Sequence, residues 1–170
     1  MKFAYADPPY PGCAHLFPEQ REVNHRDLVT RLMSDNLDGW ALSTSSVALR
    51  DMLVLCPPGV RVAAWVKPFA SFKPGVNPAY AWEPVIWIGG RARSRKEPTV
   101  RDWVSANVTL KKGLTGAKPD EFCFWVFQLL GMRPGDELED LFPGTGRVMR
   151  AWEKYQRSFP GLAAPALEEP

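Results

Sequence analysis

Phe3-Ala4-Tyr5-Ala6-Asp7-Pro8-Pro9-Tyr10 is the stretch from which the rest of the chain is read. An apolar run ends in a carboxylate, two prolines and an aromatic ring. Consecutive prolines fix φ twice and remove two backbone donors. The residue before each proline is also held extended. A strand over 2–6 therefore runs into a stiff, non-helical turn. That turn offers one acid, carbonyls that no helix satisfies, and one ring. The set suits a flat heterocycle with an exocyclic amino group: the amine donates to the carboxylate and a carbonyl, and the ring stacks on the base. Asp-Pro-Pro also occurs in ordinary surface loops, so this stretch alone leaves both readings open.

A second stretch, Asp140-Leu141-Phe142-Pro143-Gly144-Thr145-Gly146, lies near the other end of the chain. It closes a short strand predicted over 137–142 and opens a helix predicted over 147–156. Glycines allow φ > 0 and close backbone approach to a ligand, and a helix start presents free N–H groups. Gly-x-Gly by itself also makes a plain β–α turn. Position 149 is Met149, so no G-x-G-x-x-G fingerprint is present and a nicotinamide-type dinucleotide site is disfavoured.

Between these stretches, strands alternate with helices. Leu28, Val29, Leu32 and Met33 recur at helical spacing and predict a helix over 26–37. A strand over 39–44, a helix over 47–55 capped by Ser45 or Ser46, and strands over 60–66 and 84–88 follow. Residues 119–130 form a dense apolar run whose length and Pro-Asp-Glu start favour a buried helix over a strand. The segment 91–118 has no clear period. The expected fold is therefore one α/β domain over 1–157, a mostly parallel sheet flanked by helices, with a flexible tail over 158–170. In such sheets ligands bind outside the carboxyl ends of the strands. Both special stretches stand at predicted strand ends, so they can face one crevice.

The chain has 170 residues, 45% of them apolar and 24% charged, which is ordinary for a globular protein that buries roughly 70% of its unfolded surface. No apolar run reaches the ~20 residues of a membrane span, and no signal peptide is evident. Cys13, Cys56 and Cys123 are far apart, and His15 and His25 are the only histidines. No metal-ligand spacing occurs. The expectation is reduced thiols in a cytoplasmic protein without a metal site. The net charge of +2 is unevenly spread. Arg91, Arg93, Arg95, Lys96, Arg101, Lys111, Lys112 and Lys118 face only Glu97 and Asp102 within 91–118, a surplus of six positive charges in that insert. A solvated loop and a phosphate-contacting surface both account for such a run. Most of the seven tryptophans are expected in the core. Trp103 and Tyr80, near the basic segment, are candidates for stacking on bases.

Taken together, the two stretches resemble a family. Asp7-Pro8-Pro9-Tyr10 looks like the catalytic motif of S-adenosylmethionine-dependent DNA/RNA amino-methyltransferases that act on adenine N6 or, less often, cytosine N4. Asp140 to Gly146 looks like their cofactor loop, D-x-F-x-G-[ST]-G. The order, catalytic motif first, is similar to the permuted, beta-like class, and Gly116-Ala117-Lys118-Pro119 and Trp82-Glu83-Pro84-Val85-Ile86-Trp87 resemble further segments of that class. The resemblance implies a circularly permuted Rossmann-like sheet with S-adenosylmethionine as cofactor. Asp140, Phe142, Gly144, Thr145, Gly146, Lys118 and Asp7 would contact the cofactor. Asp7, Pro8, Pro9 and Tyr10 would form the catalytic motif, with Asp7 and the Pro8 carbonyl gripping the target amine and Tyr10 stacking on its base. The partner implied is nucleic acid, DNA ahead of RNA, met by the basic segment.

Three departures bear on these expectations. Members of the family continue after the cofactor helix into a strand ending in an acid for the ribose; here Ser158-Phe159-Pro160-Gly161 and a polar tail follow, so a truncated fold is expected. Pro143 and Arg147 flank the glycines where small residues are common. The space for target recognition, 91–118, is short, which fits weak specificity, a homodimer or partner subunit, or an RNA or smaller substrate. The alternative is a protein of this fold that has lost catalysis and serves as a nucleic-acid-binding or partner subunit.

Overall fold

The structure, a computed structural model, describes residues 1–12, 14–16, 22–68, 75–108 and 118–159. Strand β1 (Lys2–Ala6) is buried at every position after Lys2, as befits a strand apolar on both faces. Helix α1 (His25–Ser34) begins at Asn24, whose side chain accepts from the N–H groups of Arg26 and Asp27. β2 (Gly39–Ser43) is buried throughout. It is followed by α2 (Leu49–Leu55), β3 (Arg61–Val66), β4 (Trp82–Gly89) and β5 (Trp103–Ser105). The chain then forms α3 (Asp120–Leu130), β6 (Glu137–Asp140) and α4 (Arg147–Arg157).

The six strands form one sheet in the order β5-β3-β4-β2-β1-β6. β1 pairs in parallel with β2 and β6, and β3 with β5. β4 runs antiparallel to both β2 and β3. The departure from a uniformly parallel sheet has a simple cause. A parallel connection needs a crossover, usually a helix, and the described part of the β3–β4 connection contains none. The short edge strand β5 lies in the segment that had no period in sequence, because three residues are too few to show one.

Helices cover both faces. Leu28, Val29 and Leu32 of α1 and Met52 of α2 pack with Ala4, Ala6, Leu42 and Ile86 on one side. Phe122, Trp125, Val126 and Leu129 of α3, with Val148, Ala151, Trp152 and Tyr155 of α4, pack with Phe3, Tyr5, Trp65 and Val85 on the other. α3 is apolar nearly all round because it lies between the sheet and α4. Phe159, expected in the tail, packs edge-on against Tyr155 with ring centroids 5.2 Å apart.

This layering positions a crevice. The chain leaves β1 towards α1 on one face and leaves the adjacent β6 towards α4 on the other. Two neighbouring parallel strands whose connections diverge to opposite faces leave a gap at their carboxyl ends. Tyr5 pairs with Asp140 in the β1–β6 ladder, and the Leu141 N–H donates to the Tyr5 carbonyl at 3.0 Å. The acidic turn and the glycine turn therefore flank one opening although 133 residues separate Asp7 from Asp140. Among the described residues no helix is long and apolar enough to cross a membrane.

Candidate functional site

Asp7 leaves the end of β1 and meets Lys118, which stands just before α3. Lys118 Nζ lies 2.9 Å from Asp7 Oδ1 and 3.4 Å from Glu83 Oε2, with its side chain 6% exposed. Glu83 comes from β4. It also pairs with Lys67, which follows β3, and accepts a 2.8 Å hydrogen bond from the Tyr10 hydroxyl. The Lys118 ammonium further lies over the Trp65, Phe122 and Tyr10 rings, at 5.5, 5.8 and 5.9 Å from their centroids. Four segments distant in sequence thus close around a quartet of two acids and two lysines, neutral in sum.

Each charge in the quartet depends on its neighbours. Burial works against the Lys118 charge, but the surrounding Asp7, Tyr10, Tyr5 and Glu83 oxygens more than reverse this and raise its pKa well above the lysine range. Burial also opposes the Glu83 charge, yet Lys118 and Lys67 hold that carboxyl below its usual value. Asp7 moves the other way: burial pushes it up, Lys118 pulls it back only in part, and Glu83 adds to the rise. Tyr10 is raised well above the usual phenol value, chiefly by burial. It stays a neutral ring held by its hydroxyl.

Across the gap, Asp140 closes β6. Its Oδ1 accepts from the Phe142 N–H at 3.2 Å, while Oδ2 is buried without a partner among the described residues. Burial, only partly offset by the Phe142 N–H and reinforced by the Asp7 charge, pushes its carboxyl up to about 6. Gly146 caps α4 with φ of 70°, in the left-handed region. A side chain on Gly144 would meet only the Phe142 carbonyl oxygen, at 3.9 Å. Its surroundings are open, so the backbone there is accessible to a ligand. The Nε of Arg147 and the hydroxyl of Thr44, just past β2, are also buried without a hydrogen-bond partner among the described residues. Of these, Asp140 Oδ2 stands at the glycine turn, where a bound polar molecule would complete it, whereas the Arg147 guanidinium is directed to Asp120 at 4.0 Å.

The structure brings together Asp7, Pro8, Pro9, Tyr10 and Lys118 on one side and Asp140, Phe142, Gly144, Thr145 and Gly146 on the other. Lys118 reaches the acidic turn rather than the glycine turn. Glu83 and Lys67 belong to the same network and were not singled out from sequence. Trp82-Glu83-Pro84 read only as a strand, and nothing local marks an acid whose partners are 73 and 35 residues away.

The basic segment does not form one surface. β4 ends at Gly89, opposite Gly39 at the amino end of β2, so 91–97 lies at the end of the sheet away from Asp7. There Arg91 is committed to Asp136, with its guanidinium 2.7 and 2.8 Å from the two carboxylate oxygens. Glu97 pairs with Arg133 at 3.3 Å. Arg93, Arg95 and Lys96 belong to this remote end. The chain then climbs to the site end through β5, where the Arg101 guanidinium lies 5.4 Å from the Trp103 ring centroid. Lys111, Lys112, Gly116, Ala117, Cys13 and the tail 160–170 fall outside the described residues. Cys56 and Cys123 are free thiols, and burial raises Cys123 to about 12, which leaves it protonated and inert. No group of three or more metal-capable side chains occurs among the described residues.

No protein-family model and no curated protein sequence matches the chain. Solved structures do. The crystal structure of the M1.HpyAVI–SAM complex superposes with a TM-score of 0.65 at 15% identity, covering 91% of this chain and 78% of that one. The crystal structure of M1.HpyAVI gives 0.57 at 16% identity, covering 91% of this chain and 76% of that one. The likeness is one of fold.

Proposed function

We propose that the protein is an S-adenosylmethionine-dependent methyltransferase acting on an exocyclic amino group, adenine N6 in DNA. The observation that carries this reading is the shared crevice: the acidic turn after β1 and the glycine turn after β6 stand side by side at adjacent strand ends. A protein of the same fold, M1.HpyAVI, was solved with SAM. The residues at the glycine turn fit such a group. Asp140 has an unused buried oxygen, Gly144 has open space above it, and the α4 N-terminus has free N–H groups. Asp140, Phe142, Gly144, Thr145 and Gly146 would hold it.

Held there, S-adenosylmethionine would supply a methyl group on a positively charged sulfur for transfer to the target nitrogen. The chain itself orients the nitrogen. Asp7 and the Pro8 carbonyl accept the two amine hydrogens, which localises the lone pair and aims it along the line of displacement. Lys118 grips Oδ1 of Asp7 and so fixes the carboxylate that holds the amine. The proton lost from nitrogen passes to Asp7, the carboxylate that already accepts its hydrogen bond. Tyr10, anchored by Glu83 through its hydroxyl, offers its ring face to the base.

The test is tritium transfer from labelled S-adenosylmethionine to DNA, RNA and free nucleosides. Transfer to DNA that disappears in Asp7→Ala supports the proposal. Undiminished transfer in Asp7→Ala and Tyr10→Ala sinks the assigned site. Transfer to RNA or to free nucleosides alone reassigns the substrate.

A further inference from the structure

A depression of about 390 Å³ is lined by Ser46, by residues 75–80, Asn77 and Tyr80 among them, and by Trp82. Its volume falls within the ~300–1,000 Å³ of small-ligand sites. Its place is set by the network already described. Trp82 is the neighbour of Glu83, and so alternates to the opposite face of the sheet from the side chain that holds Tyr10 and Lys118. The Lys67 N–H donates to the Ala81 carbonyl, and the Thr44 N–H to that of Pro84, at 2.8 and 3.1 Å. The depression is therefore at the same end of the sheet as Asp7, at β4, which β2 separates from β1.

Two large rings there are left in contact with water: Tyr80 is 50% and Trp82 is 39% exposed. Asn77 and Ser46 add a donor–acceptor pair and a hydroxyl. Aromatic faces beside an amide that both donates and accepts suit a planar ring with hydrogen-bonding edges, and an amide of this kind reads a base edge bidentately. Ser46 also lines a second, shallower depression along α2, whose charged lining residue is Arg50. A strand that leaves the first depression along α2 meets a cation for its phosphate.

We propose that this depression is a subsite for a second nucleobase, that of a nucleotide flanking the target in an unpaired strand. That base stacks on Tyr80 and Trp82, is contacted at its edge by Asn77, and its neighbouring phosphate lies near Arg50. The proposal rests on the nucleic-acid reading above. It adds that the chain selects a single-stranded or locally opened substrate through a contact outside the reacting centre.

The experiment is a binding cycle that does not depend on turnover. The affinity of a fluorescein-labelled single-stranded DNA is measured for the wild type, Tyr80→Ala/Trp82→Ala and Tyr80→Phe/Trp82→Phe, with an abasic site walked along the strand. The alanine pair should weaken binding about tenfold or more, in line with base–aromatic stacking, and the phenylalanine pair should restore most of it. One abasic position should weaken wild-type binding by a similar factor and have little effect on the alanine pair, since base and rings lose the same contact. Arg50→Gln should lower the salt slope by about one contact. Additive losses at every abasic position, or unchanged affinity in the alanine pair, overturn the subsite, as does a wild type that binds no oligonucleotide. Methyl transfer with no coupling leaves the enzyme reading standing and removes this one. Coupling without methyl transfer does the reverse.

Discussion

At the scale of single residues, the crevice is held by charges that stabilise only as a set. Lys118 is buried between two carboxylates and three rings. Removing one partner of such a buried pair leaves an uncompensated charge and costs about 3 kcal/mol or more. Lys118→Met should therefore lower the unfolding free energy by about that amount in urea titrations, and Lys118→Met/Asp7→Asn should recover part of it. Glu83→Gln keeps an acceptor for the Tyr10 hydroxyl and removes the charge. It should leave the secondary structure intact by circular dichroism and reduce methyl transfer at least tenfold, by loosening Tyr10 and Lys118 together. Asp140 gives a pH signature. Its carboxyl is raised to about 6 in the folded chain, above the ~3.9 of an unfolded one. The folded state therefore binds that proton more tightly, and stability from this group is lost as pH rises between those values. Asp140→Asn should stabilise the protein at pH 7.5 by about 1 kcal/mol, a figure reduced for the partial exposure of the group, and should change nothing near pH 3. Thermal melts at the two pH values check both the sign and the window.

Among the elements, the glycine turn and the close strand contacts have different sensitivities. Gly146 is left-handed, a conformation that costs other residues ~1–2 kcal/mol. Gly146→Ala should destabilise by about 1 kcal/mol and weaken S-adenosylhomocysteine binding by more than tenfold, calorimetry separating the two losses. Gly39 instead faces backbone: a Cβ there would meet the Gly90 nitrogen at 2.5 Å. Gly39→Ala should disrupt the β2–β4 pairing, with the loss read in stability and not in ligand affinity alone. Helices and strands with a strong period were legible in sequence. Leu28, Val29 and Leu32 marked α1, and the β-branched run marked β3. Asp7 and Gly144 were legible because prolines and glycines punctuate the backbone visibly. Glu83 and Lys67 were not, since their partners are brought by β1, β3 and the residue before α3. β5 was hidden by its length, and the direction of β4 by the absence of any local signal for strand sense.

For the whole molecule, the uneven charge of the chain turns out to be spread over both ends of the sheet. Arg91 is tied to Asp136, and 91–97 lies away from the crevice. Replacing Arg93, Arg95 and Lys96 together by Gln should leave the salt slope of DNA binding within about one unit of wild type, whereas contacts near the crevice should lower it. Filter binding at several salt concentrations measures the slope directly. The basic run was thus visible in sequence as composition, but its division between two ends of the sheet depends on where β4 stops and β5 begins.

The pairing of β1 with β6 has a consequence for how the protein is made. Of the six described strands β1 is made first and β6 last, and Phe3 must wait for Leu138 before that side of its backbone is bonded. While residues 7–136 are being synthesised, at ~5–20 residues per second, β1 presents an open edge, apolar on both faces, of the kind other strands recruit. The crevice comes into being only once β6 is in place. A nascent chain is therefore vulnerable for longest at the place where the finished one forms its crevice, and a ligand that spans both turns would act as a late clasp on the β1–β6 pairing.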